Sequence, residues 1–359
     1  MRRNKTVYII LALLSLGILY LVQQLFMPKY ISTIQEGSLV EEYYLEDSNH
    51  DVLFIGDCEV FSNVSPITLW ERYGISSYIR GSAQQLIWHS YYLLEDALRY
   101  EKPQIVVYNV LAMKYNEPQK EAYNRLTLDG MRLSLTKLRA IEASKMEEEG
   151  TLSYLLPILR YHSRWNELSL EDLKYIFKKD KVSHNGYLMR VDTKPVGYLP
   201  RERRLADYQF GDRSYDYLDR ITKLCKENDI ELILIKSPSV YPHWYDQWDE
   251  QMVDYAEKND IEYINFLDYV DVMGIDYEND TYDGGLHLNL KGAEKFTNYL
   301  GSILRDSYGL PDHREDVELR AIWDKKIDFY YDMKAKQEEE LRMYGYLKSV
   351  GEAAQKIDE

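Results

Sequence analysis

Hydrophobic positions along this chain fall into three regimes. From Val7 to Phe26 they are nearly continuous: VYIILALLSLGILYLVQQLF holds twenty residues without a charge, with only Gln23 and Gln24 breaking its apolar character. At 1.5 Å per residue, a helix of that length spans a hydrocarbon core of about 30 Å. From Asp51 to Asn109 the pattern changes to short apolar runs separated by helical periodicity. VLFIG (52–56), SYIR (77–80) and IVVYN (105–109) read as strands, with helical stretches at Pro66–Tyr73 and Gln84–Tyr100 between them. The rhythm returns with a helix at Tyr215–Asn228, strand ELILIKSP (231–238), a helical run near Asp249–Lys258 and strand EYINF (262–266). Buried strands alternating with helices predict parallel pairing through crossover helices, an α/β fold.

Between the two blocks, about 117–212, lies a third regime: charged helical sequence around Met131–Gly150, the run RYHSRW, and the basic stretch HNGYLMRVDTKPVGYLPRERR. It reads as an insertion that forms a lid or one wall of a cleft. After Pro311 no strand pattern recurs, and AIWDKKIDFYYDMKAKQEEELRMYGYL reads as an exposed amphipathic helix, either packed on the body or binding a partner. The expected organisation is a stub and anchor over 1–30, a body over 31–311 and a helical tail over 312–359.

Arg2, Arg3 and Lys5 precede the apolar segment, whereas Glu36, Glu41 and Glu42 follow it. By the positive-inside rule the N-terminus is cytoplasmic and the body extracytoplasmic, where ATP-dependent chemistry is improbable. A cleaved signal peptide would have a shorter apolar region and a small-x-small site, which LVQQLFMPKY lacks. The expected location is therefore the cell membrane, with a single pass.

Composition narrows the function further. With 44 Lys+Arg against 60 Asp+Glu the formal net charge is −16, and no basic stripe stands out, which argues against nucleic-acid binding. Hydrophobic residues at 45% and 34 tyrosines exclude a disordered chain. Two cysteines, Cys58 and Cys225, make neither a disulfide framework nor a four-ligand zinc site.

The candidate chemistry gathers at strand ends. VLFIG runs into Asp57-Cys58-Glu59, and a thiol at the following helix start would be favoured as thiolate, although free cysteines are often simply buried. Asp57 and Glu59 oppose that thiolate through their negative charge. Asp283 precedes His287 in the Gly284-Gly285 loop, a spacing in which a carboxylate can orient an imidazole that acts as base and then acid, or a plain surface loop. Gly81, read as opening a helix after SYIR, and Asn109, at the end of IVVYN, are candidate oxyanion donors.

Arg160, His162, Arg164 and Trp165 are candidates for gripping an anionic or sugar ligand, or for a self-contained cleft wall; Lys236 is a candidate pocket residue or a strand stop. His184 and His243 lack carboxylate partners at metal-ligand spacing, and Cys225 lies on the apolar side of its helix.

In that order, the blocks GDCE, Gly81, Asn109 and Asp283…His287 resemble those of the SGNH/GDSL hydrolase superfamily, with Cys58 at the serine position. Three residues separate Asp283 from His287 where that family usually has two. The chain is more specifically similar to membrane-anchored bacterial members related to the D-alanyl transfer and alginate O-acetylation proteins, in ITLWERYGISSYIRGSAQQ, the central insertion and HLNLKGAEKFTNYL. The likeness spans roughly 50–305. It implies a flavodoxin-like parallel sheet and an esterase or O-acyltransferase acting on acyl, chiefly acetyl, groups of a cell-envelope glycan. It also implies a membrane-bound O-acyltransferase as partner, and no cofactor or metal. A non-catalytic glycan-binding or assembly subunit using the same cleft is the alternative.

Overall fold

The computed structural model describes residues 2–27, 29–30, 34–35, 37–177 and 181–349. Helix α1 (Arg2–Phe26) contains a segment, Lys5–Phe26, long and apolar enough to cross a membrane, exposed from Lys5 to Leu21 and covered in part from Val22 to Phe26. The body is built on five parallel strands: β1 (Val52–Gly56), β2 (Ser77–Gly81), β3 (Ile105–Asn109), β4 (Glu231–Lys236) and β5 (Glu262–Asn265). They lie in the order β2-β1-β3-β4-β5, a doubly wound arrangement whose order reverses between β1 and β3.

Alternation along each strand decides what each face buries. Leu53, Ile55, Val106, Tyr108, Leu232 and Leu234 pack with helices α4 (Ile87–Ala97), α9 (Asp212–Glu227) and α10 (Asp246–Asn259). The intervening Val52, Phe54, Ile105, Val107, Ile233 and Ile235 face α2 (Cys58–Asn63), α3 (Pro66–Tyr73), α11 (Leu290–Asp306) and α12 (Val317–Tyr344). Both faces are therefore covered, which is why the strands read as continuous apolar runs rather than alternating ones.

The insertion contributes α5 (Glu121–Leu128), α6 (Leu135–Ser144), α7 (Ile158–Tyr161) and α8 (Leu170–Phe177) before an irregular return. That return passes along the free edge of β2, where Ile79 N–H donates to the Asn185 carbonyl, and then to the loop before α11, where Lys194 N–H donates to the Thr281 carbonyl.

The tail helix α12 is docked rather than free. Trp323 is fully buried and stacks on Trp70 with ring centroids 4.7 Å apart, while Gln337 accepts from Val191 N–H and donates to the Met189 carbonyl. The sequence pattern understated this because the contacts involve only a few widely spaced positions, Trp323, Tyr330 and Gln337, on a charged helix. Trp323→Ala is expected to cost about 3–5 kcal/mol, read as a lower urea midpoint. An unchanged midpoint would mean that α12 contributes nothing to the body.

Candidate active site

Gly56 ends β1 beside the position where the strand order reverses, so the next residues emerge at the carboxyl edge of the sheet. Asp57 caps α2 by accepting from Glu59 N–H at 3.1 Å, which fixes the turn and places Cys58 as the first helical residue. The backbone N–H of a first helical residue has no acceptor within its own helix.

From the opposite side comes the loop before α11. Its turn needs Gly284 and Gly285, whose φ values are 80° and 102°. A Cβ on Gly285 would also lie 2.6 Å from Val240 and 2.8 Å from Val196. Across that turn Asp283 clasps His287 twice: Oδ1 accepts the backbone N–H at 2.9 Å, and Oδ2 lies 2.6 Å from Nδ1. The three-residue spacing thus closes a short-range clamp on the Nδ1 side of the ring, and Cys58 lies close enough for thiol and imidazole to act on each other's charge. The ring is held flat by Tyr282, stacked at 5.7 Å with an interplanar angle of 15°. Tyr282 is in turn covered by the Arg190 guanidinium at 4.3 Å, which Asp192 holds through two bonds of 2.8 and 2.7 Å.

The electrostatics follow from burial. Burial raises the Cys58 thiol, Asp57 adds to the rise, and His287 opposes it. For His287, burial disfavours the imidazolium, but Tyr282, Cys58 and Asp283 outweigh it and push the pKa well above the ordinary histidine value. Glu59 does not confront the thiol with a bare charge: its carboxylate takes Lys236 Nζ at 2.9 and 3.0 Å, and both side chains are almost wholly buried. Asp57 is raised chiefly by burial, against the pull of Lys114.

Three of the sequence-predicted groups, Cys58, Asp283 and His287, are thus brought together. Others are not where the sequence reading put them. Gly81 ends β2 beside Gly56 and does not open a helix; α4 starts only at Ile87. Its lack of a side chain instead allows close approach, since a Cβ there would lie 3.1 Å from the Gly56 carbonyl oxygen. Asn109 is no free oxyanion donor: its amide nitrogen donates to Glu59 at 3.1 Å and Asp57 at 3.3 Å, and its oxygen accepts from Ser237 N–H. Lys236 does not line a pocket, because its ammonium is sealed against Glu59 and the Ser237 carbonyl.

The RYHSRW run is engaged elsewhere. Arg160 pairs with Glu121, Arg164 binds the Phe26 carbonyl and Glu167, His162 faces the Leu159 carbonyl, and Trp165 is exposed. These partners come from α1 and the insertion, because the run packs at the end of α1. His184 is buried, His243 meets the Pro200 carbonyl, and Cys225 is buried with its thiol pushed up to about 12 by burial.

Sequence reasoning missed Lys114, which ends the turn Val110–Lys114 after β3. It lies close enough to Asp57, Glu59 and Cys58 to feel their charge, and burial lowers its pKa. Its position five residues beyond the strand-end Asn109, on the reactive edge, was the available signal. A hollow of about 720 Å³ between α3, α11 and α12 is lined by Glu71, Lys291, Glu294 and Lys334 and includes none of the Cys58 cluster. Size alone does not locate the chemistry.

No protein-family model and no curated protein matches the chain. Among solved structures, it is similar to a candidate acylhydrolase from Bacteroides fragilis at 13% identity and a TM-score of 0.36, over 76% of this chain and 97% of that one.

Proposed function

We propose that the chain is a membrane-anchored acyl-transfer enzyme of SGNH type, an esterase or O-acyltransferase acting on acyl groups of a cell-envelope glycan. The observation that carries this reading is the meeting of Cys58 with a His287 already oriented by Asp283. In the reaction His287 Nε2 takes the Cys58 proton as sulfur bonds to the acyl carbon and the carbonyl π pair moves to oxygen. The tetrahedral oxyanion faces the Cys58 N–H, and Lys114 supplies a nearby positive charge. Collapse breaks the carbon–oxygen bond, and the leaving alkoxide takes the proton from His287, which leaves a thioester on Cys58. Water, or a hydroxyl of the glycan, then loses its proton to His287 as it attacks the thioester; collapse breaks the carbon–sulfur bond, the Cys58 sulfur takes the proton back from His287, and the acid or the new ester is released.

Anchoring by α1 holds the body at the membrane surface, with the N-terminus cytoplasmic and a membrane-bound O-acyltransferase as the expected partner. No cofactor enters this scheme.

Hydrolysis of p-nitrophenyl acetate by the full chain in detergent tests the reading, with a burst expected in the wild type. The pH dependence has a definite sign. Below its raised pKa, His287 already carries a proton and cannot accept another; above it, it can. Turnover should therefore increase from about pH 6 to about pH 9, and a rate that falls over that range would contradict His287 as the base.

A second reading, a non-catalytic glycan-binding or assembly subunit, is favoured by one observation: both functions of the Asn109 amide are already used internally. Under it, Cys58→Ala leaves polymer acylation in cells unchanged.

A further inference from the structure

The end of α1 is not isolated from the insertion. Helices α7 and α8 and the turn His162–Asn166 pack against it, and Arg164 Nη1 donates at 2.8 Å to the carbonyl of Phe26, the last residue of α1. That carbonyl is one that the helix cannot satisfy itself. Arg164 is held in turn by Glu167 at 3.2 Å and Asp172 at 3.6 Å. The segment 158–177 is therefore fixed to the point where the apolar helix stops.

On this segment large apolar side chains stand in the open: Trp165 is 72% exposed, Leu170 78% and Phe177 80%, with Leu159 and Leu173 also exposed. Arg160 and Lys174 are exposed among them. Apolar tips interleaved with charges, Lys174 and the Glu121-paired Arg160 beside the exposed Glu167, do not make a contiguous dry groove for another protein. They match the composition of a segment lying in the headgroup layer, where an indole sits at the boundary and basic groups reach phosphate.

Geometry makes the same point. The 22 residues of Lys5–Phe26 span about 33 Å as a helix, close to the hydrocarbon thickness, so Phe26 ends at the bilayer boundary and whatever is bound to it lies in the interfacial layer.

We propose that residues 158–177 form a bilayer-docking element that inserts Trp165, Leu170 and Phe177 into the phospholipid interface beside the span. This rests on the membrane-anchored reading above. It gives the RYHSRW run a lipid partner in place of a glycan, and it fixes the body against the surface instead of leaving it on a flexible stalk.

The test uses the full chain reconstituted in phosphatidylcholine vesicles whose acyl chains carry bromine, a contact quencher of tryptophan. Of the six tryptophans, Trp70, Trp88, Trp248 and Trp323 are buried and Trp244 is partly buried in the body. Brominated lipid should quench part of the wild-type emission, and Trp165→Phe, a conservative change at an exposed site, should remove that quenchable part. A quenchable fraction unchanged by Trp165→Phe, or a Trp165 signal quenched by aqueous acrylamide and not by lipid, overturns the proposal while leaving the anchor intact. If the protein fails to float with the vesicles, the anchored reading itself falls, and this inference with it.

Discussion

Cys58→Ala and His287→Ala are each expected to lower ester turnover by about 10³-fold or more, and Cys58→Ala is also expected to abolish the burst. In the proposed mechanism the Cys58 thiol carries the acyl group and His287 removes its proton. Burial and Asp57 both keep Cys58 protonated, so without the imidazole the thiol stays a poor nucleophile at neutral pH. Combining the two substitutions costs little more than either alone, because they disable one step. Asp283→Asn acts through the imidazole: with an amide at Nδ1, the ring no longer presents a basic Nε2, at a cost of roughly 10³ to 10⁴ in rate. Burst kinetics with p-nitrophenyl acetate measure all of these. Additive losses, or a burst that survives Cys58→Ala, would point to another nucleophile.

Glu59→Ala is expected to destabilise the fold about as strongly as Trp323→Ala. It strands the Lys236 ammonium, fully buried with only the Ser237 and Ser239 carbonyls for company, and removes the acceptor of one Asn109 hydrogen bond. Removing one partner of a buried ion pair costs about 3–5 kcal/mol, or a Tm lower by roughly 6–20 °C. Glu59→Gln combined with Lys236→Met removes both charges and should recover most of the loss, since the desolvation of each charge disappears with it. A thermal scan that puts Glu59→Ala within about 2 °C of the wild type would mean that water reaches the pair. The same pair explains how two carboxylates next to Cys58 are tolerated: Glu59 is matched by Lys236, so Asp57 is left as the stronger opponent of the thiolate.

The inner strands were legible because they are buried on both faces and bounded by turn residues; 52–56 and 105–109 agree with the sequence reading residue for residue. Helix ends were less legible: the stretch read as 84–100 forms a helix only over Ile87–Ala97, because residues 82–86 instead turn, with Gln85 bonding back to the Arg80 carbonyl. That Cys58 follows a strand end was legible from the strand pattern, whereas its pairing with His287 came from the resemblance. The fate of Gly81, Asn109 and Lys236 was not legible, since it depends on what lies across the strand ends. Glu59 sits one residue beyond the thiol and claims both Asn109 and Lys236, a three-way contact over some 50 to 177 positions of sequence that no local pattern encodes. For the same reason RYHSRW, whose residue types suit a ligand, turned out to be bound to the end of α1.

Intact-mass analysis of the full chain after brief exposure to an activated acetyl ester, with peptide mapping, tests the central claim most directly. An adduct of one acetyl group on Cys58, absent from Cys58→Ala, greatly slowed in His287→Ala and lost again on standing in water, is the predicted result. Cys225 provides the internal control, because its thiol is buried and pushed up to about 12. An unmodified Cys58, or one that acetylates equally well without His287, would contradict the account and leave the site as a binding surface.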